Sequence, residues 1–512
     1  ELISAERSEE LGPDQPPDIN FGYAYYRDME PGETIAHYYS THYRRYRTER
    51  TADGEERQRP LTAEETSRNA MVMLGIIVVA ALFWATGAVP VGITALLIGV
   101  LMYAFGILKP DDLAKGFAKD AVIFVFGVLA MSKAITKTGL DRRIGIVLLG
   151  AARNLPLLLF VFLPLLSLCC AFVSEHALIA FTMPLFVMIY STSIRAAGVK
   201  QDKALMVMFA LSLCYSANIG GPGSPAAGGR NAIMIGILGD YGFAPTFGQW
   251  VTYGLPFVPI MSLTIAAYFF LTFRRKLKVK KLDVSRIVRD AAKRIGPMNR
   301  DEYLTLGVLV LVIVLWITAS DKLGMGGPVL LGIVLLNVLR ILRWGEVAKI
   351  HWDVVFLYGG AAAMGAGLAR TGGALYLADT FVSILPDYFM QGDGLAIASS
   401  LFTGICTNFM SDGATVAALG PITVPMAQIG NVHPWMVGFA TAYASSFAHM
   451  LIIGTPSNAL AFALAKDPVT GEQLVTLKDF AKHGFVVVCL CFLVLWFVTI
   501  LGYWQLIGFP SP

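Results

Sequence analysis

From residue 71 onward the chain alternates between long apolar segments and short polar ones. The apolar segments run approximately over 71–87, 91–108, 121–138, 155–172, 177–194, 203–219, 250–273, 303–320, 326–343, 353–370, 395–409, 414–428, 434–452 and 480–504. Such lengths suit helices crossing a hydrocarbon core of about 30 Å. Two adjacent pairs, 155–172/177–194 and 395–409/414–428, are separated by only a few residues, which predicts two helical hairpins with broken tips. A hairpin adds an even number of crossings. Each half of the chain then has five other spans, an odd number, so the second half must enter the membrane upside down. The pattern predicts an all-α polytopic membrane protein built from two inverted-topology repeats, each with a helical hairpin and a broken helix.

The corresponding organisation is a polar, Tyr-rich extension over 1–70, a first repeat over 71–273 and a linker over 274–302. An inverted second repeat over 303–505 and a tail over 506–512 follow. The hairpins cover 155–194 and 395–428, and the broken helices 203–238 and 434–465. Composition agrees with a membrane protein: 55% of residues are hydrophobic and 15% charged, against about 25% charged in soluble domains. The six cysteines lie in apolar runs without a CxxC or Cys/His cluster, which argues against a disulfide framework or a zinc site. The extension holds Tyr23, Tyr25, Tyr26, Tyr38, Tyr39, Tyr43 and Tyr46 and has an acidic excess. It does not resemble a signal peptide, and it is expected to lie against the membrane domain or a neighbouring subunit.

The hairpin tips carry one pattern twice. Ser174-Glu175-His176-Ala177 is followed by six residues and Pro184; Ser411-Asp412-Gly413-Ala414 is followed by six residues and Pro421. Ala180 and Ala417 coincide as well. A carboxylate at membrane depth costs roughly 2.5–3.5 kcal/mol even on insertion scales, so two at matching positions point to function. The duplication continues in Gly127 and Thr138-Gly139, matched by Gly360 and Thr371-Gly372. It also continues in two broken stretches, Gly220-Gly221-Pro222-Gly223-Ser224-Pro225 running on to Gly228-Gly229-Arg230-Asn231, and Gly454-Thr455-Pro456-Ser457-Asn458. Non-helical backbone at this depth is tolerated where it lines a cavity or is buried in protein. Such breaks are where secondary transporters bind substrates and coupling ions.

Charge assigns the sides. Arg142, Arg143 and Arg153 precede the first hairpin, and Arg195, Lys200 and Lys203 follow it. The stretch Arg274 to Arg300 holds eleven Lys/Arg against two acids, and Arg340, Arg343 and Lys349 come later. All fall on one side by alternate counting, which makes that side cytoplasmic. Thr371–Gly394, with Asp379, Asp387 and Asp393 and no Lys or Arg, falls opposite. The first hairpin then opens from the cytoplasm, the second from outside, and both termini lie outside the cell membrane. The basic linker reads as a topology determinant facing anionic lipid head groups, not as a nucleic-acid site.

Over roughly residues 71–505 the chain resembles the divalent anion/sodium symporter (DASS) family of INDY-type dicarboxylate, citrate and sulfate transporters. The resemblance rests on Trp84-Ala85-Thr86-Gly87-Ala88-Val89-Pro90, the Gly…Thr-Gly repeats, the two tips and the two Asn-ending broken helices. It implies an elevator-type homodimer with a fixed scaffold and a mobile transport unit. It also implies a small anionic substrate and no organic cofactor. In the family the tips read Ser-Asn-Thr, and their Ser and Asn, with the unwound loops, bind sodium and substrate carboxylates. By position this implies substrate or ion contacts from Ser174, Glu175, His176, Gly223, Ser224, Arg230, Asn231, Ser411, Asp412, Gly413, Thr455 and Asn458. Coupling Na+ is implied near Ser174, Glu175, Ser411 and Asp412. The sequence departs from the family where Glu175 and Asp412 replace Asn, His176 and Gly413 replace Thr, Gly87 replaces a Glu, and Arg230 and Ser457 stand in Pro-Pro-Asn endings.

Two carboxylates beside an anion site cannot all remain ionised without compensation. They bind cations, take up protons, or are balanced by Arg230, His176 or His449. The proton is the favoured coupling ion on this reading, with Na+ the alternative. Glu175 and Asp412 also suit helix caps, Arg230 suits either a buried ion pair or an oxyanion contact, and His449 suits packing. The function read from the sequence is H+- or Na+-coupled transport of a di- or tricarboxylate, sulfate or similar oxyanion. A cation/proton exchanger on the same fold and an anion channel are the alternatives. No HExxH or GxSxG pattern supports an intramembrane enzyme.

Overall fold

The computed structural model of the protein describes residues 62–282, 284–430, 432–468 and 470–510, with the strands β1 (Tyr46–Arg50) and β2 (Glu56–Pro60). The strands pair antiparallel from Tyr46↔Pro60 to Arg50↔Glu56, a small departure from an all-helical chain. The remaining tyrosines of the extension lie outside the described residues, so their expected packing does too. The first helix, α1 (Ala63–Thr86), begins ahead of the expected 71 because Thr62 and Glu65 close a capping box on its first turn.

The helices that follow are α2 (Val91–Ala104), α3 (Pro110–Phe117), α4 (Asp120–Thr138) and α5 (Leu140–Gly150). The first hairpin is α6 (Leu155–Cys170) and α7 (Glu175–Ala196). The first broken helix is α8 (Lys203–Asn218) and α9 (Gly229–Asp240), and α10 (Phe247–Phe273) completes the half. The linker carries an amphipathic helix, α11 (Val284–Ile295). The second half repeats the order: α12 (Arg300–Leu323), α13 (Gly326–Val338), α14 (Trp352–Thr371), α15 (Gly373–Ser383), hairpin α16 (Gly392–Cys406) and α17 (Asp412–Ile429). Broken helix α18 (Pro434–Ala444) and α19 (Pro456–Leu464) and a last span α20 (Leu477–Ile507) follow. Among the described residues, seven helices are long and apolar enough to cross a membrane.

The halves interlock. α4 packs on α12 and α13 of the second half, and α14 packs on α1 and α2 of the first. The repeated glycines permit this: a Cβ on Gly127 would strike Val329 of α13, and one on Gly360 would lie 2.7 Å from the Cβ of Ala95 in α2. The Thr-Gly repeats end α4 and α14, with Gly139 and Gly372 in the left-handed conformation at φ 82° and 77°. Pro184 and Pro421 sit inside the outgoing hairpin arms. Each lacks the N–H that would bond the carbonyl four residues back, and that residue is Ala180 or Ala417. The small Ala and the Pro of the tip motif are thus one local device.

Contacts sort the loops into two ends. At one, Arg143 forks onto Glu302 at 2.9 Å and bonds Gly296 and Pro297 of the linker. There Lys137 bonds Glu346 and the Ile341 carbonyl, and Asp202 accepts from the backbone of Lys278 and Val279. At the other end Arg370 pairs with Asp112, Lys119 with Asp240, and Gln505 with Asp393. The basic stretches therefore gather at one end, as the charge pattern predicts.

Candidate functional site

The tips and the breaks meet. Each broken helix is opened by a Gly- or Ser-rich stretch and closed by an Asn that does the same job in both halves. Asn231 donates through Nδ2 to the carbonyls of Gly221 and Ser224, both at 2.7 Å. Asn458 donates to those of Ala448 and Leu451 at 2.7 and 3.0 Å. The offsets, 10 and 7 residues back, are identical. These amides satisfy carbonyls that the unwound backbone would otherwise leave buried and unpaired. The donors of Asn231 and Asn458 are thus occupied by the loop, while Asn231 Oδ1 is buried with no partner among the described residues.

Each loop also clasps the tip of its own half. Ser224 Oγ donates to the Ala171 carbonyl and accepts from the Ala226 N–H, and Gly223 lets the loop approach Ala171. In the second half Thr407 Oγ1 donates to the Ser445 carbonyl at 2.6 Å, and Asn408 Oδ1 accepts from the Met450 N–H at 3.0 Å. Thr455 caps α19 by accepting from the Asn458 N–H, and its hydroxyl reaches Asn218 Oδ1. Asn218 Nδ2 in turn donates to Asn458 Oδ1 at 3.1 Å. Ser224 and Thr455 thus bond protein groups at the tips and breaks, and Gly223 lies against the first tip.

The acids face across the halves. Glu175, at the first tip, is 4% exposed and accepts through Oε1 from the hydroxyl of Ser457, the first-turn residue of α19. His176 Nδ1 lies 2.8 Å from Ser457 Oγ and 3.6 Å from Glu175 Oε1, with its side chain 48% exposed. Glu175 Oε2 is buried without a partner among the described residues. Asp412, at the second tip, pairs through Oδ2 with Nη1 of Arg230 in the first turn of α9. Its Oδ1 accepts from the Gly413 N–H at 2.6 Å. Of the two partners open to Arg230 in the sequence, the fold selects Asp412. Arg230 is 3% exposed, and its Nε and Nη2 have no partner among the described residues.

Ser411 Oγ accepts from the Ala414 N–H at 3.3 Å, a capping bond, whereas Ser174 makes none. Glu175 is not a backbone cap. Asp412 caps in part and forms an ion pair as well.

Several residues of the site carried no sequence signal of their own. Tyr358 of α14 packs against Gly229, and a Cβ on Gly413 would lie 3.6 Å from its hydroxyl, so it abuts both sides of the Arg230–Asp412 pair. A Cβ on Gly221 would strike Arg230 Nη2 and lie 2.8 Å from Ser446 Oγ, which is buried and has no partner among the described residues. Ser457 was marked only by its place beside Asn458. Aligning the two Asn-ending stretches, which puts Ser457 opposite Arg230, would have singled it out. His449 is fully buried against Tyr215, ring centroids 4.7 Å apart, and neither of its ring nitrogens has a hydrogen-bond partner among the described residues. Among the described residues no three His, Cys, Asp or Glu side chains gather in a metal-holding group. The chemistry on offer is one buried guanidinium with a free N–H edge beside one buried carboxylate with a free oxygen.

Comparison with known proteins agrees with this architecture. The sequence profile described as the sodium:sulfate symporter transmembrane region matches residues 62–509. An uncharacterized transporter of Haemophilus influenzae is 26% identical over 460 residues, covering 86% of this chain and 93% of that one. The sodium-dependent dicarboxylate transporter SdcS of Staphylococcus saprophyticus is 24% identical over 451 residues, covering 82% and 84%. Among solved structures, the YdaH transporter of Alcanivorax borkumensis superposes with a TM-score of 0.52 at 14% identity, over 87% of this chain and 99% of that one. MtrF of Neisseria gonorrhoeae gives 0.50 at 15%, over 84% and 95%. At these identities the structural likeness is one of fold alone.

Proposed function

The chain belongs to the sodium:sulfate symporter family, and from that premise we propose that it is a cation-coupled secondary transporter of a small dianion, a dicarboxylate or sulfate-like oxyanion. The observation that carries the reading is Arg230. A guanidinium this deeply buried, with Asp412 on Nη1 and no partner on Nε and Nη2 among the described residues, presents a two-pronged donor edge matched to a carboxylate or sulfate. Ser446 Oγ lies beside it. Glu175 then holds the coupling cation. The printed names of the staphylococcal relatives, sodium-dependent dicarboxylate transporters, support sodium in that role. The added carboxylates support a proton.

Transport on this reading follows the inverted repeats. The interlocked helices α1, α2, α4 and α12–α14 form a scaffold in a homodimer. The hairpins and broken helices form the moving unit and carry the site across as an elevator. The end that gathers Arg143, Lys137 and the linker faces the cytoplasm, which leaves both termini outside.

The test is uptake of labelled succinate, citrate and sulfate into proteoliposomes under a sodium gradient, a pH gradient or neither. Saturable uptake of one of these anions, accelerated by one of the gradients, is expected. Passive, non-saturating flux would replace the transporter with a channel. Cation flux without any anion would favour the exchanger.

A further inference from the structure

Arg230 and Ser457 occupy equivalent places. Each stands one residue before the Asn that bonds the carbonyls 10 and 7 residues upstream. Each also reaches the acid at the tip of the other half, Asp412 or Glu175. The framework is thus doubled while the charge is not. A guanidinium neutralises Asp412 outright; a hydroxyl gives Glu175 one hydrogen bond and no charge.

Among the described residues the surroundings of Glu175 supply no substitute. Its α7 packs against α5, α8, α19 and the basic linker helix α11, and Arg286, Arg289, Lys293 and Arg294 of α11 are not among the charges that act on Glu175. The titratable neighbours are the thiols of Cys170 in α6 and Cys214 in α8, while α19 presents Ser457. α5 meets α7 at Gly145, against Phe181 and Thr182. The charges that act on Glu175 are its neighbour His176 and the paired Arg230 and Asp412. His176 stays half exposed, 3.6 Å from Oε1, and leaves Oε2 unpartnered. A buried carboxylate in that state requires a positive charge from outside the protein.

We propose that Arg230 is the resident counter-cation of the second tip, so that the protein exchanges a single positive charge, held at Glu175, and not one at each tip. This rests on the transporter reading above and fixes its coupling at one cation per cycle. A sodium ion and a proton share the required chemistry, and the two arms of the test separate them.

The measurement is the thermal unfolding of the purified full-length protein, which needs no transport. One arm titrates NaCl against choline chloride at fixed pH and ionic strength; the other titrates pH without sodium. A ligand bound only by the folded state stabilises it with a concentration dependence that reports its stoichiometry, and a pH slope reports bound protons in the same way.

The unaltered protein is expected to show a one-ion dependence in one arm. Glu175→Gln is expected to abolish it, Asp412→Asn to keep it at one, and Ser457→Arg to remove it by giving Glu175 a counter-charge of its own. Arg230→Ser is expected to raise it to two. A two-ion dependence of the unaltered protein, no dependence in either arm, or loss of the dependence in Asp412→Asn with retention in Glu175→Gln would overturn the proposal. If Arg230→Ser fails to fold, the other three variants decide. Anion uptake is read separately: an unaltered protein that carries none of the test anions sinks the transporter reading while the ion count stands.

Discussion

The two hairpin tips share one framework and differ in how their acid is neutralised. At the second tip Asp412 meets a buried guanidinium; at the first, Glu175 meets a hydroxyl and a half-exposed imidazole. The Asn clamps, the Pro-bearing outgoing arms and the glycine contacts are alike on both sides. A duplicated fold can therefore keep its geometry while its two ion positions diverge, because the geometry rests on Gly, Asn and Pro and the charge on one neighbouring residue.

The largest expected effect comes from removing the second tip's cation. Arg230→Gln leaves Asp412 without its partner and is expected to lose roughly 3–5 kcal/mol of stability along with anion uptake. Adding Asp412→Asn should recover most of the stability but not the uptake. Thermal unfolding and proteoliposome uptake measure the two, and a single variant as stable as the parent would end the comparison between the tips.

The clamps are the control for what is shared. Asn231→Ala and Asn458→Ala each strip the donors from two carbonyls of an unwound loop, at an expected cost of about 2–3 kcal/mol. Similar losses would confirm the common framework, and a clear imbalance in unfolding temperature would show that only one loop depends on its Asn. Next, Gly127→Ala and Gly360→Ala press a Cβ into the facing helix of the other half, with an expected loss of about 1–2 kcal/mol each.

The smallest effect lies far from both tips. Lys137 beside Glu346 holds that carboxyl below the ordinary glutamate range, helped by the Arg343 backbone. Its contribution is fully present above about pH 4.3 and is lost as the pH falls through the lowered value. Both side chains are partly exposed, so Glu346→Gln is expected to cost under about 1 kcal/mol and to leave uptake unchanged. A loss of uptake in that variant would place a charge that matters outside the tips.

Much of this was legible in the chain. Apolar length gave the helices, seven of which among the described residues are long and apolar enough to cross a membrane, and the helices break at the Ser-acid pairs and at the runs ending in Asn. The basic loops fell on one side, as the contacts of Arg143, Lys137 and Lys278 now show. The start of α1 was not placed, because a capping box in polar sequence carries no apolar signal. Ser457, Asn218, Ser446 and Tyr358 were also missed, since a lone hydroxyl or amide in a membrane segment resembles many others.

The sequence by itself determined what depends on local chemistry: the cost of a carboxylate in an apolar run, helix lengths, the breaks made by Gly and Pro. Only the tertiary structure decided the partners. Arg230 reaches Asp412 across 182 positions of chain, and Ser457 reaches Glu175 across 282. It likewise revealed that Gly127 and Gly360 each serve the opposite half, and that the amide donors of Asn231 and Asn458 hold backbone carbonyls of the unwound loops. Periodicity and transfer cost are properties of a segment, whereas a partner is set by how segments far apart in the chain are brought together in space.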